Sequence, residues 1–284
     1  MLLSSVKNTY NEHIYTYTNN FIKNVDIEID ENVEKIDLEE SVIITDKNKY
    51  NYKDKYLVVG LGSNVDNGFY WNEKINEIKE LYNEPNNTNT KNICIIGSGP
   101  TGTELAFYLN DMGFNITILD ADKKENLYKY LSSEGKEKIL NEFKKYKITL
   151  HDNTMFNETI RKNYDYNIFA IGSRSNDLTS KWSIDSNLKL VNYDNIFSGG
   201  DCIMQQYPKN AQVAYQQGVY IAKYLNNEIN EINENKNPLF SYDDKGIALY
   251  IGDNKYYVEI NSYYGVLQQE INHIFIELYY KIFK

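Results

Sequence analysis

Apolar positions along this chain recur with two different periods. Short apolar runs closed by glycine or by polar residues read as buried strands, and apolar positions three or four apart read as helices. Residues 26–47 read as strands, clearest at Ser41-Val42-Ile43-Ile44-Thr45, and residues 54–63 read as a buried strand running into a glycine turn. Further strands are expected at Ile93-Cys94-Ile95-Ile96, at Ile116-Thr117-Ile118-Leu119, at 147–150, at 166–172 and at 195–201. Helices are expected at 70–83, from Leu105, Ala106, Leu109 and Met112, at 134–146, and after Pro208. In that last helix Ala211, Ala214, Gly218 and Ala222 share one face, so something flat should lie close to it, either a neighbouring element or a planar cofactor. Polar linkers fall at 84–92 and 226–237. Residues 240–259 read as a β-meander with turns at 243–246 and 252–254, and Leu267, Ile271, Ile274, Leu278 and Ile282 mark a terminal amphipathic helix. Strands alternating with helices, the strands too apolar to have a wet face, predict an α/β fold with parallel sheets.

One segment carries chemistry. Gly97, Gly99 and Gly102 stand at G-x-G-x-x-G spacing between the run Ile93–Ile96 and the helix that follows, and the next strand ends in Asp120. This is a dinucleotide fingerprint in its required strand–turn–helix–strand context. Gly97 permits the tight turn, Gly99 lets backbone approach a pyrophosphate, and Gly102 lets the helix lie close on the strand. Pro100 and Thr101 belong to the same cofactor-binding loop, and the free N–H groups at the start of the helix would face the phosphates. Asp120 can accept from a ribose 2′-hydroxyl and would repel a 2′-phosphate, so NADH is expected over NADPH, with Lys123 and Lys124 close enough to weaken the preference. Glu104 is expected in the first helical turn, where the helix dipole favours any acid.

Composition narrows the class. At 284 residues the chain can hold two domains. A net charge of −10 argues against a nucleic-acid partner, whose phosphates call for a basic surface. The 27 tyrosines, with abundant Asn, Lys and Ile, read as the bias of an AT-rich genome. Cys94 and Cys202 form no C-x-x-C, which removes a dithiol centre, and Cys94 reads as a packing residue. His13, His151 and His273 are scattered without metal-ligand spacing. Met1-Leu2-Leu3 is too short for a signal-peptide core, and no run is long enough to span a membrane. An intracellular protein, cytoplasmic or peripheral on a membrane, is expected.

The motifs resemble those of the type II NADH dehydrogenases, single-subunit FAD-dependent NADH:quinone oxidoreductases of the two-dinucleotide-domain flavoprotein superfamily. Gly97-Ser98-Gly99-Pro100-Thr101-Gly102-Thr103-Glu104 is similar to that family's G-G-G-P-T-G-V-E. Ile196 to Cys202 is similar to I-F-A-x-G-D-C, and Ala211-Gln212-Val213-Ala214-Tyr215-Gln216 matches A-Q-x-x-x-Q. The resemblance implies hydride transfer from NADH to FAD and then two electrons to a quinone. It implies cofactor contacts from Gly62, Gly172, Gly200, Asp201 and Ala211, with Asp201 accepting from the flavin ribityl chain. It puts Glu104 near nicotinamide and flavin, and Gln212 and Gln216 at the quinone side.

The chain also departs from that pattern. No second G-x-G-x-x-G occurs, Gly60-Leu61-Gly62 stands where the family has A-T-G, and Met1 to Val6 resembles a stretch that follows the first FAD unit. The expected architecture is therefore two Rossmann-like domains. A complete NAD domain (91–172) is inserted in an incomplete FAD domain (1–84 and 173–227), followed by the meander and amphipathic helix (238–284). The alternative reading is a catalytically inactive NADH-binding or protein-interaction relative that has lost FAD, and a separate chain supplying the first FAD unit is a third. The terminal helix is expected to touch a membrane surface or a second copy of the chain.

Overall fold

The computed structural model describes residues 31–64, 91–204, 206–229, 238–260 and 263–268. The chain divides after Tyr56 into two compact units. In the first, β1 (Val33–Asp37), β2 (Val42–Thr45) and β3 (Lys49–Asn51) form an antiparallel sheet in that order. The Glu31 carboxylate accepts from Thr45, Asn48 and Tyr50 across it, contacts that hold its pKa down.

The second unit begins with β4 (Leu57–Val59), which pairs in parallel with β11 (Ile196–Ser198). That pairing ties residues 57–59 to a strand far along the chain. β5 (Ser63–Asn64) pairs with β10 (Arg174–Ser175). The expected helix at 70–83 lies outside the described residues.

β6 (Asn92–Ile96), β7 (Asn115–Leu119), β8 (Thr149–His151) and β9 (Tyr166–Phe169) form a parallel sheet in the order β8-β7-β6-β9. Counted from β6, this is the 3-2-1-4 order of a doubly wound dinucleotide fold, reversing between β6 and β9. Ile93, Ile95, Ile118 and Ile168 are no more than 2% exposed, and each contributes about 1.5–3 kcal/mol by leaving water. Cys94 is fully buried, in a cluster with Ile96 and Leu119.

The crossovers are α1 (Pro100–Asp111), α2 (Ser133–Lys145), which Ser132 caps by accepting from Gly135 N–H, and the short α3 (Glu158–Arg161), capped by Asn157. After β11 comes α4 (Ala211–Ile229), capped by Asn210, whose side chain accepts from Val213 N–H at 2.8 Å. α4 runs through 226–229, which polarity alone reads as linker.

The meander is β12 (Ile247–Tyr250), β13 (Lys255–Ile260) and β14 (Tyr263–Gln268), all antiparallel. Leu249, Ile251 and Tyr257 join the core with Phe107 and Phe143. Leu267, expected to open an amphipathic helix, lies in β14. Its backbone completes the ladder opposite Tyr256, which outweighs the helical spacing. The rest of that expected helix lies outside the described residues. Among the described residues, no helix is long and apolar enough to cross a membrane, and no cluster of His, Cys, Asp or Glu could hold a metal ion.

Candidate functional site

The first half of the site is the turn from β6 into α1, at the carboxyl end of the sheet where the strand order reverses. Gly97 has φ +104°, and a Cβ there would stand 2.5 Å from the Ala170 carbonyl oxygen. A Cβ on Gly102 would stand 2.0 Å from the Gly97 carbonyl oxygen, so the first turn of α1 rests directly on the loop. Around Gly99 the same test finds nothing within 4 Å. The open position is thus the one expected to admit a pyrophosphate, and the crowded ones are those where helix and strand meet. No side chain caps α1, and Pro100, without an N–H, opens it. The Thr103 N–H donates to the Gly99 carbonyl, which leaves the N–H groups of Thr101 and Gly102 for an anion.

Asp120 directly follows β7 beside this loop. Its Oδ2 accepts from Ser98 N–H at 2.8 Å and from Ser98 Oγ at 2.6 Å, and its Oδ1 accepts from Asp122 N–H at 2.9 Å. The acid expected to meet a ribose hydroxyl is therefore tied to the glycine loop as well. Thr103 Oγ1 donates to the Ser98 carbonyl at 3.0 Å. Tyr128 is 3% exposed, and its hydroxyl lies beside Ser98 and Thr103 without closing a hydrogen bond to either. Burial pushes that phenol up to about 12.

Glu104 is the fifth residue of α1, in its second turn, because the helix starts at Pro100; no acid stands in the first turn. The dipole explanation offered for it fails for that reason. Its Oε1 accepts from Tyr250 N–H at 3.1 Å, tying α1 to the meander. Burial raises its pKa, opposed by that hydrogen bond.

The second half lies beyond β9. Gly172 leads into β10, which pairs with β5 directly after Gly62. Gly62 (φ +70°) and Gly172 (φ +84°) would carry a Cβ into open space. β5 and β10 pack against the 3₁₀ turn Gly200–Cys202. In that turn Asp201 Oδ1 is buried with no hydrogen-bond partner. Burial raises the Asp201 pKa, and the charge of Lys209 opposes the rise. An orphaned carboxylate acceptor between open glycines fits a hydroxyl-bearing ligand.

Gln217 holds this turn. It is fully buried, and its Oε1 accepts from Gly200 N–H at 2.6 Å. Sequence reasoning passed over it, yet the signal was present: Val213, Gln217 and Ile221 recur four apart on the buried face of α4, and a glutamine among apolar positions needs a dedicated partner. Ser98 and Tyr128 were missed too, since nothing in their spacing marks them.

Gln212 and Gln216 are neither solvated nor free. Gln212 Nε2 donates to the Gly246 carbonyl at 2.8 Å and its Oε1 accepts from Lys245 N–H at 3.1 Å. Gln216 Nε2 donates to the Asp243 carbonyl at 2.8 Å and its Oε1 accepts from Asp243 N–H at 2.9 Å. Each amide clamps the main chain that enters β12. On the small-residue face of α4, Ala211, Gly218 and Ala222 are exposed and Ala214 is near Gly200, so among the described residues no neighbouring element covers that face along its length.

A family model for the pyridine nucleotide-disulphide oxidoreductases matches residues 2–218. The chain belongs to this family. Among curated members, it is 28% identical over 194 residues to a probable NADH dehydrogenase of Dictyostelium discoideum, covering 56% of this chain and 43% of that protein. It is 26% identical over 200 residues to a probable mitochondrial NADH-ubiquinone oxidoreductase of Schizosaccharomyces pombe, covering 55% and 35%. The chain thus spans less than half the length of the curated relatives it matches. Among solved oxidoreductases of this fold, NDH2 of Plasmodium falciparum in complex with NADH superposes with a TM-score of 0.70 at 16% identity, covering 89% of this chain and 79% of that one. The resemblance to type II NADH dehydrogenases read from the motifs is borne out, as is the α/β class with Rossmann-like parallel sheets.

Proposed function

We propose that this chain is an FAD-dependent NADH oxidoreductase whose electron acceptor is a quinone. The observation that carries the reading is the buried, unpartnered Asp201 Oδ1. It lies in the turn that packs against β5 and β10, and β10 begins two residues after Gly172 at the end of the coenzyme sheet. One short segment therefore links the two halves. When bound, FAD supplies the hydride acceptor for NADH and the two-electron donor for the quinone.

The chain's own residues position these partners. The Thr101 and Gly102 N–H groups bind the NADH pyrophosphate over the open Gly99 face, and Asp120 receives the adenosine ribose. The Asp201 carboxylate would accept from a ribityl hydroxyl of bound FAD, and Gln217 keeps its turn in place through Gly200. Gly62 and Gly172 leave room for the cofactors where their chains meet. Glu104, on the coenzyme helix itself, ties α1 to the meander by accepting from the Tyr250 N–H, and burial raises its pKa. Gln212 and Gln216 act as positioning residues by fixing residues 243–246 against the first turns of α4, whose N-terminus, with Ala211, would face a bound flavin. The quinone assignment draws on the A-Q-x-x-x-Q motif and on the ubiquinone named for the yeast relative.

Steady-state NADH oxidation by the FAD-supplemented protein should be fast with a short-chain quinone and slow with dioxygen. Turnover with dioxygen that matches the quinone rate would remove the quinone assignment and leave an NADH oxidase.

A further inference from the structure

The Asp120 carboxylate is held on both oxygens before any coenzyme arrives. Oδ2 accepts from the Ser98 N–H at 2.8 Å and the Ser98 hydroxyl at 2.6 Å, and Oδ1 accepts from Asp122 N–H at 2.9 Å. A carboxylate oxygen offers about two acceptor positions, so Oδ2 is filled and Oδ1 keeps one. Ser98 is 3% exposed, and its carbonyl is pinned by Thr103 Oγ1 at 3.0 Å, with Thr103 fully buried. Ser98 and Thr103 stand where the resembled motif has Gly and Val. The hydroxyl part of the tie between loop and acid is thus a feature of this chain's own side chains, while the Ser98 N–H bond belongs to the main chain.

We propose that Ser98 is a specificity-determining positioning residue: its hydroxyl commits Asp120 Oδ2 to the glycine loop, so that the adenosine ribose of the coenzyme is held through one hydroxyl, on Oδ1. The inference rests on the NADH reading above. Two further consequences follow from the tether. The carboxylate cannot swing aside, so a 2′-phosphate meets a fixed negative charge and NADPH is rejected. Removing the Ser98 hydroxyl frees an acceptor on Oδ2 and loosens the acid at once.

The test is equilibrium binding, by fluorescence, of NADH, NADPH, 2′-deoxy-NADH and 3′-deoxy-NADH to the wild-type chain and to Ser98→Ala. In the wild type, loss of one hydroxyl should weaken binding about tenfold, the order for a hydrogen bond to a charged acceptor, and loss of the other less than about twofold. In Ser98→Ala both losses should matter, and the NADH-to-NADPH preference should fall about fivefold or more as the phosphate is tolerated. Equal losses for both hydroxyls in the wild type overturn the inference without any variant, as does a Ser98→Ala profile identical to wild type. NADH binding with either result leaves the coenzyme reading standing. A wild-type chain that binds none of the four nucleotides overturns that reading and the inference with it.

Discussion

Replacing Gly102 by alanine tests the geometry of the coenzyme loop. A Cβ there would lie 2.0 Å from the Gly97 carbonyl oxygen, 3.1 Å from its carbon and 3.3 Å from the Ala170 Cβ. The first obstacle is main chain, so no side chain can turn out of the way. Reaching even 3.0 Å requires α1 to lift from the loop by about 1 Å. Overpacking of this kind costs about 1–3 kcal/mol, and alanine in place of glycine in a helix returns about 0.5–1 kcal/mol, so a net loss of about 1–2 kcal/mol is expected. The function should suffer more than the stability. A 1 Å lift stretches a 2.9 Å hydrogen bond from a first-turn N–H beyond bonding range. Losing one such bond to a phosphate weakens NADH about tenfold or more. Urea unfolding and NADH titration of Gly102→Ala give the two numbers. A variant with wild-type stability and wild-type NADH affinity would refute the close-contact account of this glycine.

The remaining predictions concern the flavin side. Asp201→Asn should stabilise the protein without added FAD, more at pH 7 than at pH 4, while weakening FAD retention. Burial raises the native pKa of Asp201 above its unfolded value, so stability falls as pH rises from the unfolded pKa through the native one, and the penalty persists at neutral pH. Thermal midpoints at both pH values check this; an equal effect at the two would contradict it. Gln217→Leu removes the acceptor of the Gly200 N–H and should cost about 1–3 kcal/mol in chemical denaturation, with weaker FAD retention. A loss under a few tenths would mean the turn holds itself. Gly218→Ala meets nothing within 4 Å in mid-helix and should stabilise by about 0.5–1 kcal/mol, read as a raised denaturation midpoint. A lowered midpoint would show that the exposed face of α4 is covered.

The coenzyme half was legible because its physics is local. The run Ile93–Ile96, the glycine spacing and the acid at 120 all lie within one β–α–β unit, and the observed strand order follows from them. What the sequence concealed was long-range. The β4–β11 pairing joins residues 57–59 to 196–198, and no periodicity announces such a partner. The clamps from Gln212 and Gln216 reach residues 243–246, across a linker whose length hides the contact. Glu104 was misplaced by one turn because Pro100 begins the helix earlier than the apolar spacing implies. The exposed small-residue face of α4 shows the limit of spacing arguments: periodicity identifies a face but not what covers it.

The central claim is that Asp201 and its turn receive a flavin that NADH can reduce. The most direct measurement is the visible absorption spectrum of the purified chain after incubation with FAD and gel filtration, recorded anaerobically before and after NADH. The account predicts co-eluting flavin bands that bleach with NADH, and their loss in Asp201→Ala. A colourless protein that takes up no FAD, or a bound flavin that NADH leaves oxidised, would contradict it.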